Sequence, residues 1–299
     1  MPELPEVETV CRYLQLQLPG STVTATTLRR PDLRYPMPQA AIATLPGRRL
    51  LGLQRRAKYI LLTTTARQPV ETEQDTPQTV LVHLGMTGRL FVHQDPDGKE
   101  PDWRLHEHWR FALQGPTGQP MWLRYVDARR FGALDVLETA TQDSHPLLAS
   151  LGPEPLGPDF DAAYLLSHCQ GKRAAVKLVL MDGHVVVGVG NIYANEACFR
   201  AQIAPQCPAG QLTLADCQRL VTAVVDVLQE AIAAGGSTLK DFASGDESPG
   251  YFQQRLDVYD RAGQVCHRCG GTIVRSVLGQ RATFACSGCQ VPQGLASIP

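Results

Sequence analysis

Two short cysteine pairs near the C-terminus constrain this chain most tightly. Cys266-x2-Cys269 and Cys286-x2-Cys289 are separated by sixteen residues. Knuckles at that spacing aim four thiolates at one tetrahedral ion, and four thiolates close its coordination shell, so the metal is structural. The segments Thr272-Ile273-Val274 and Thr283-Phe284-Ala285 between the knuckles read as paired strands. A unit this small has no core of its own, and metal binding contributes on the order of 10 kcal/mol to folding it. The expectation is one structural Zn2+ in a ribbon hairpin over residues 261–290, followed by a tail at 291–299. Four cysteines can instead form disulfides. The other five, at positions 11, 169, 198, 207 and 217, are odd in number and scattered, which fits reduced thiols and a cytoplasmic protein.

With 299 residues, 43% of them apolar and 19% charged, the chain can fill more than one core. No window approaches the roughly 18 consecutive apolar residues of a membrane span, and Glu3, Glu6 and Glu8 contradict a secretory leader. A soluble monomer without a membrane partner is expected. The net charge of -1 argues weakly against a polyanionic partner, but its distribution argues the other way. Arg48, Arg49, Arg55, Arg56 and Lys58 occur without an intervening acid, and no acid follows Arg261. Acids gather instead around 71–75 and 95–107. Segregated basic runs of this kind are the footprint of a nucleic-acid surface.

Residues 22–134 carry β-rich runs broken by turns: Arg49 to Leu53, Tyr59 to Thr63, Val80 to Leu84, Leu90 to His93 and Met121 to Tyr125. They predict an antiparallel sandwich or barrel behind a short N-terminal helix, with a polar surface loop over 64–79. The Pro/Gly-rich connector from Gly152 to Pro158 marks a boundary. Apolar residues then recur at helical spacing over 161–182 and 212–234. The predicted class is α+β: an N-terminal β-sandwich catalytic domain over 1–135, a linker over 136–160, a helical domain over 161–260, then the zinc unit. Gly235-Gly236 ends the last helix, and a Gly/Ser/Asp-containing loop runs to Tyr251.

The chain opens Met1-Pro2-Glu3-Leu4-Pro5-Glu6-Val7-Glu8-Thr9. Removal of Met1 exposes a secondary amine, and an N-terminal amine titrates near pH 8, far below lysine, so it can attack a carbonyl-like carbon near neutrality. This start is joined by His83-Leu84-Gly85-Met86-Thr87-Gly88, Arg129-Arg130-Phe131-Gly132, Val187 to Glu196 with its Gly-Val-Gly-Asn turn, Ser237 to Phe242 with Pro249 to Phe252, and Gln280-Arg281-Ala282-Thr283-Phe284. Six blocks in order over residues 2–290 resemble the formamidopyrimidine-DNA glycosylase family.

The resemblance implies a bifunctional glycosylase and abasic-site lyase. Its substrate is duplex DNA with oxidised purines or abasic sites, and its architecture is a β-sandwich followed by a helix-two-turn-helix domain and a zinc finger. Such enzymes extrude the damaged nucleotide, because its sugar cannot be reached within the stack. Pro2 is then the nucleophile. Glu3 protonates the sugar ring oxygen and shuttles protons, and Glu6 positions them. Lys58 and Arg281 reach phosphates beside the lesion, and His83, Lys177 and Asn191 add to the backbone grip. Met86, Arg129 and Phe131 fill the hole left in the duplex. The 237–252 loop closes over the extruded base. Glu196 either reaches the lesion pocket or braces its own turn.

Ala128 stands where the family pattern has proline before Arg129, the 64–79 stretch is longer than usual, and the last nine residues are an added tail. Two other readings share these features. The sister glycosylase for oxidised pyrimidines, endonuclease VIII, has the same nucleophile and zinc hairpin. A zinc protein that binds damage without catalysis is a different class, against which Pro2, Glu3 and Lys58 speak.

Overall fold

The computed structural model describes residues 2–67, 76–95, 97–235 and 256–290. These residues form two units, one over 2–149 and the other over 150–234 and 256–290. The 237–252 loop, the 291–299 tail, Met1 and positions 68–75 of the polar stretch lie outside the described residues.

The first unit begins with helix α1 (Leu4–Gln15), started by the proline at its first turn and by a capping box in which Glu3 N donates to Glu6 Oε2 at 2.8 Å. Leu4, Val7, Val10, Cys11 and Leu14 recur at helical spacing and are all buried. Each large one contributes about 1.5–3 kcal/mol by leaving water. The helix packs on a sandwich of two four-stranded antiparallel sheets, and a one-turn helix α2 (Gln39–Ile42) lies between the first two strands in chain order. One has the order β1-β6-β7-β5, from β1 (Thr22–Leu28), β5 (Arg89–Gln94), β6 (Glu107–Gln114) and β7 (Pro120–Val126). The other has the order β2-β3-β4-β8, from β2 (Leu50–Arg56), β3 (Tyr59–Thr64), β4 (Gln78–His83) and β8 (Ala133–Glu138). The core joins α1 to both sheets through residues such as Val10, Leu62, Val82, Trp109 and Leu123.

The five runs seen in the sequence correspond to β2, β3, β4, β5 and β7. Strands β1, β6 and β8 were not singled out. β6 was hidden by its charges: Glu107, Arg110 and Arg124 of β7 are each 2% exposed, with Glu107 Oε1 accepting from Arg110 Nε and Arg124 Nε at 3.0 Å. Burial pushes the Glu107 carboxyl up, but its arginine and backbone donors outweigh this and hold it below the ordinary range. β8 pairs with β4 out to Glu138, and a short 3-10 helix follows over Thr139–Ser144, so the segment expected as linker from 136 belongs largely to the first unit.

In the second unit the run over 161–182 is two helices, α3 (Ala162–Cys169) and α4 (Val176–Leu180). They are interrupted where Gly171 takes φ +70°, a backbone conformation that ends helices. Helix α5 (Asn191–Arg200) begins after Gly190 and was read from sequence only as a turn. Helix α6 (Leu214–Ala233) agrees with expectation and is capped by Thr213, whose hydroxyl accepts from Asp216 N. The zinc-ribbon strands are β9 (Ile273–Leu278) and β10 (Arg281–Cys286), antiparallel and joined by Gly279-Gln280, both at positive φ as a two-residue hairpin turn requires. The hairpin borrows a core, since Phe199 and Val258 pack with Ile273, Phe284 and three of the cysteines. Among the described residues no helix is long and apolar enough to cross a membrane.

Candidate active site and nucleic-acid interface

In the first unit Pro2 and Glu3 are buried at the start of α1, with Glu6 holding the Glu3 amide. That bond fixes the backbone beside Pro2. One turn on, Glu8 accepts from Arg12 Nε at 2.7 Å and from Arg55 Nε at 2.8 Å. Burial pushes its carboxyl up, but the two guanidinium groups prevail and hold it below the usual value. Arg55 also donates from Nη1 to Ala57 O at 3.1 Å. Ala57 and Lys58 form the two-residue turn between β2 and β3, and Ala57 takes φ +54°. The helix that follows Pro2 is thereby tied to the hairpin bearing Lys58. Two arginines of the basic run are thus committed inside the protein. Arg48 is 2% exposed and donates to Thr44 O, Thr65 O and Thr76 O, while Arg55 serves Glu8.

His83 ends β4, lies against Tyr59 with ring centroids 5.1 Å apart and the rings tilted by 52°, and accepts Gly85 N–H at Nδ1 at 3.0 Å. Burial first, then the charges of Lys58 and Arg34, push the imidazole down to about 4, against a weaker upward pull from Asp127. Near neutral pH it is the uncharged tautomer with its proton on Nε2. His83, Gly85, Met86 and Phe131 line one cavity of about 360 Å3 together with Arg34. Phe131 is 43% exposed, Met86 is half-buried, and the Arg129 guanidinium lies 4.8 Å from the centre of the Phe131 ring. The three residues therefore stand at the surface on adjoining loops rather than in the core. Arg34 was missed; its only signal in the sequence is a cation beside an aromatic, in Arg34-Tyr35.

In the second unit Arg281 is exposed at the first position of β10. Two residues expected to grip DNA hold that strand from behind. Lys177 is 0% exposed, and its ammonium donates to Ala282 O at 2.9 Å and Thr283 Oγ1 at 2.7 Å. A buried ammonium must be satisfied where it lies, and these two acceptors do so for Lys177. Asn191 opens α5 and donates from Nδ2 to the same Ala282 carbonyl at 3.0 Å. Asn195, which was missed, accepts Phe284 N–H at 2.8 Å. Glu196 is 0% exposed and accepts three backbone N–H groups, from Asp257 and Tyr259 at 2.8 Å and Val258 at 2.9 Å. It therefore braces the segment that enters the zinc unit. Burial pushes its carboxyl up and those three donors oppose the rise.

Cys266, Cys269, Cys286 and Cys289 bring their sulfur atoms within 4.8 Å of one another, close enough to hold a single metal ion. Gln290 finishes the knuckle by accepting Cys286 N–H at 2.8 Å and donating to Ile203 O at 3.0 Å.

Residues 1–134 match the family model of the formamidopyrimidine-DNA glycosylase N-terminal domain, and residues 151–243 match that of its H2TH domain. The chain belongs to the formamidopyrimidine-DNA glycosylase family. A formamidopyrimidine-DNA glycosylase of Xanthomonas euvesicatoria is 48% identical over 290 residues, covering 97% of this chain and all of its own. Among solved structures, the MutM (Fpg) protein of Thermus thermophilus has a TM-score of 0.81 and 35% identity, covering 97% of this chain and 99% of its own. A variant of the Lactococcus lactis formamidopyrimidine-DNA glycosylase in complex with DNA containing Fapy-dG has a TM-score of 0.84 and 27% identity, covering 97% of this chain and all of that one.

Proposed function

We propose that the protein excises oxidised purines from duplex DNA and cuts the strand at the resulting abasic site. The observation that carries this reading is the full-length family match together with Pro2 and Glu3 at the head of α1, where the Glu6 carboxylate holds their backbone. With Met1 removed, the Pro2 nitrogen attacks the anomeric carbon, and the glycosidic bond breaks with its electron pair leaving on the base. Glu3 protonates the ring oxygen as the ring opens to the iminium, which acidifies the neighbouring sugar proton. Loss of that proton expels the 3′ phosphate, and a second elimination expels the 5′ phosphate.

Lys58 and Arg281 supply charge to backbone phosphates. Neutral His83 offers a hydrogen bond from Nε2, and Asn191 acts beside Arg281 on the second unit. Met86, Arg129 and Phe131 occupy the gap left by the flipped nucleotide; the cavity that Met86 and Phe131 share and the Arg129 guanidinium against the Phe131 ring support that role. The four thiols suit Zn2+, which supplies a structural crosslink when bound and leaves no open position for chemistry. We read the protein as a cytoplasmic monomer, a place in keeping with bacterial relatives named for work on DNA.

Borohydride trapping on duplex carrying 8-oxoguanine opposite cytosine tests the proposal. A covalent adduct on that substrate is expected. Preference for oxidised thymine would favour the endonuclease VIII reading, and no adduct on either would leave a binding protein.

A further inference from the structure

The turn bearing Met86 and the loop bearing Arg129 and Phe131 converge on one buried carboxylate that the reaction does not use. Asp127 is 0% exposed. Its Oδ1 accepts from Thr87 Oγ1 at 2.5 Å and from Arg129 N at 3.3 Å, and its Oδ2 accepts from Gly132 N at 2.9 Å and the Tyr125 hydroxyl at 3.2 Å. Thr87 Oγ1 also accepts Arg129 N–H at 3.0 Å, so the two loops share a donor. The Asp127 carbonyl is held as well, by His108 Nε2 at 2.7 Å and Arg130 N at 3.3 Å.

Glycines close the gap between the loops. A Cβ on Gly85, at φ +63°, would lie 2.4 Å from the Phe131 carbonyl carbon, and one on Gly132 would lie 1.7 Å from the Tyr125 hydroxyl oxygen. Burial, then the Asp127 carboxylate itself, push the Tyr125 phenol far above its ordinary range, so it remains a donor.

We propose that Asp127, through Thr87, is the positioning residue that presets Met86, Arg129 and Phe131 as one rigid wedge before DNA arrives. A preset wedge spares the ordering of two loops at the moment the nucleotide leaves the stack. The proposal rests on the reading of those three residues as the gap-filling group.

Its test compares Asp127→Asn, Thr87→Val, Thr87→Ser and Phe131→Ala. Each is assayed for single-turnover excision from a lesion duplex, for cleavage at a preformed abasic site, and for fluorescence of 2-aminopurine placed beside the lesion. An amide at 127 turns N–H groups toward the N–H donors it must accept. Thr87→Val removes one hydroxyl without changing shape, and it carries the test if Asp127→Asn does not fold by thermal melting. The expected result is a loss on the order of ten- to hundredfold in excision for Asp127→Asn and Thr87→Val, the scale set by misplacing a group by about an ångström. Abasic cleavage should fall far less, the fluorescence amplitude should shrink, and Thr87→Ser should restore both. If Phe131→Ala slows excision while Thr87→Val keeps wild-type rate and amplitude, the positioning role is overturned and the wedge stands. If Phe131→Ala has no effect, the wedge reading itself fails.

Discussion

Arg55 Nε donates to Glu8 Oε2 at 2.8 Å, and the same guanidinium reaches Ala57 O at 3.1 Å. The pair is largely shielded from solvent, at 9% and 19% side-chain exposure, and it crosses from the helix that follows Pro2 to the turn that carries Lys58. Arg55→Ala is expected to lower lesion excision on the order of tenfold by freeing that turn, at roughly 1 kcal/mol of stability. Paired measurement of single-turnover rate and urea midpoint checks this; a stability loss with no rate loss would make the pair purely structural.

Salt dependence separates the DNA contacts. Lys58→Ala and Arg281→Ala should each reduce the slope of log K against log salt by about 0.9, the value for one released phosphate contact on B-DNA. Because His83 is uncharged near neutrality, His83→Ala should weaken binding with the slope preserved. Lys177→Met should also preserve it, since that ammonium is spent on Ala282 and Thr283. Fluorescence anisotropy at four salt concentrations reads all four variants.

The depressed His83 imidazole has a definite consequence for acid stability. Its folded value is about 4, while an unfolded histidine sits near 6.5. The unfolded chain therefore binds the proton first as pH falls. The contribution of neutral His83 is fully present above about pH 6.5 and is lost progressively down to about pH 4. In His83→Gln the decline of melting temperature across that window should be shallower; an unchanged slope would contradict the burial of the ring.

Glu196→Gln replaces one carboxylate oxygen by an amide that cannot accept, leaving at least one of the N–H groups of Asp257, Val258 and Tyr259 unsatisfied. The expected cost is about 1–3 kcal/mol for each orphaned N–H. Thermal melting should show the loss. Hydrogen exchange should open first at 257–259, and uniform protection there would refute the bracing role.

Metal removal should act on binding rather than on the N-terminal chemistry. Chelation or Cys269→Ser takes away the crosslink that holds the hairpin, and Arg281 with it. Elemental analysis should find one zinc per chain, and its loss should weaken DNA binding severely while β-sheet circular dichroism of the first unit persists. Full affinity without metal would disprove this.

The sequence by itself determined what depends on short spacings: the two cysteine knuckles, the first turn of α1 with Glu3 and Glu6 three residues apart, and the period of α6. Family resemblance added the roles of residues that no local spacing connects. Charge alone misled at Arg48 and Glu107, and neither charge nor resemblance revealed the burial of Lys177, because a residue's type records its cost of burial and says nothing of the partner that offsets it. Those partners lie far along the chain: Thr76 for Arg48, Ala282 for Lys177, Arg124 for Glu107. The same holds for Asp127 and Thr87, forty residues apart and joined only once β4 and β7 are placed in their sheets. A carboxylate that satisfies four donors from three strand ends has no signature in one dimension, because tertiary packing alone decides which donors water can no longer reach.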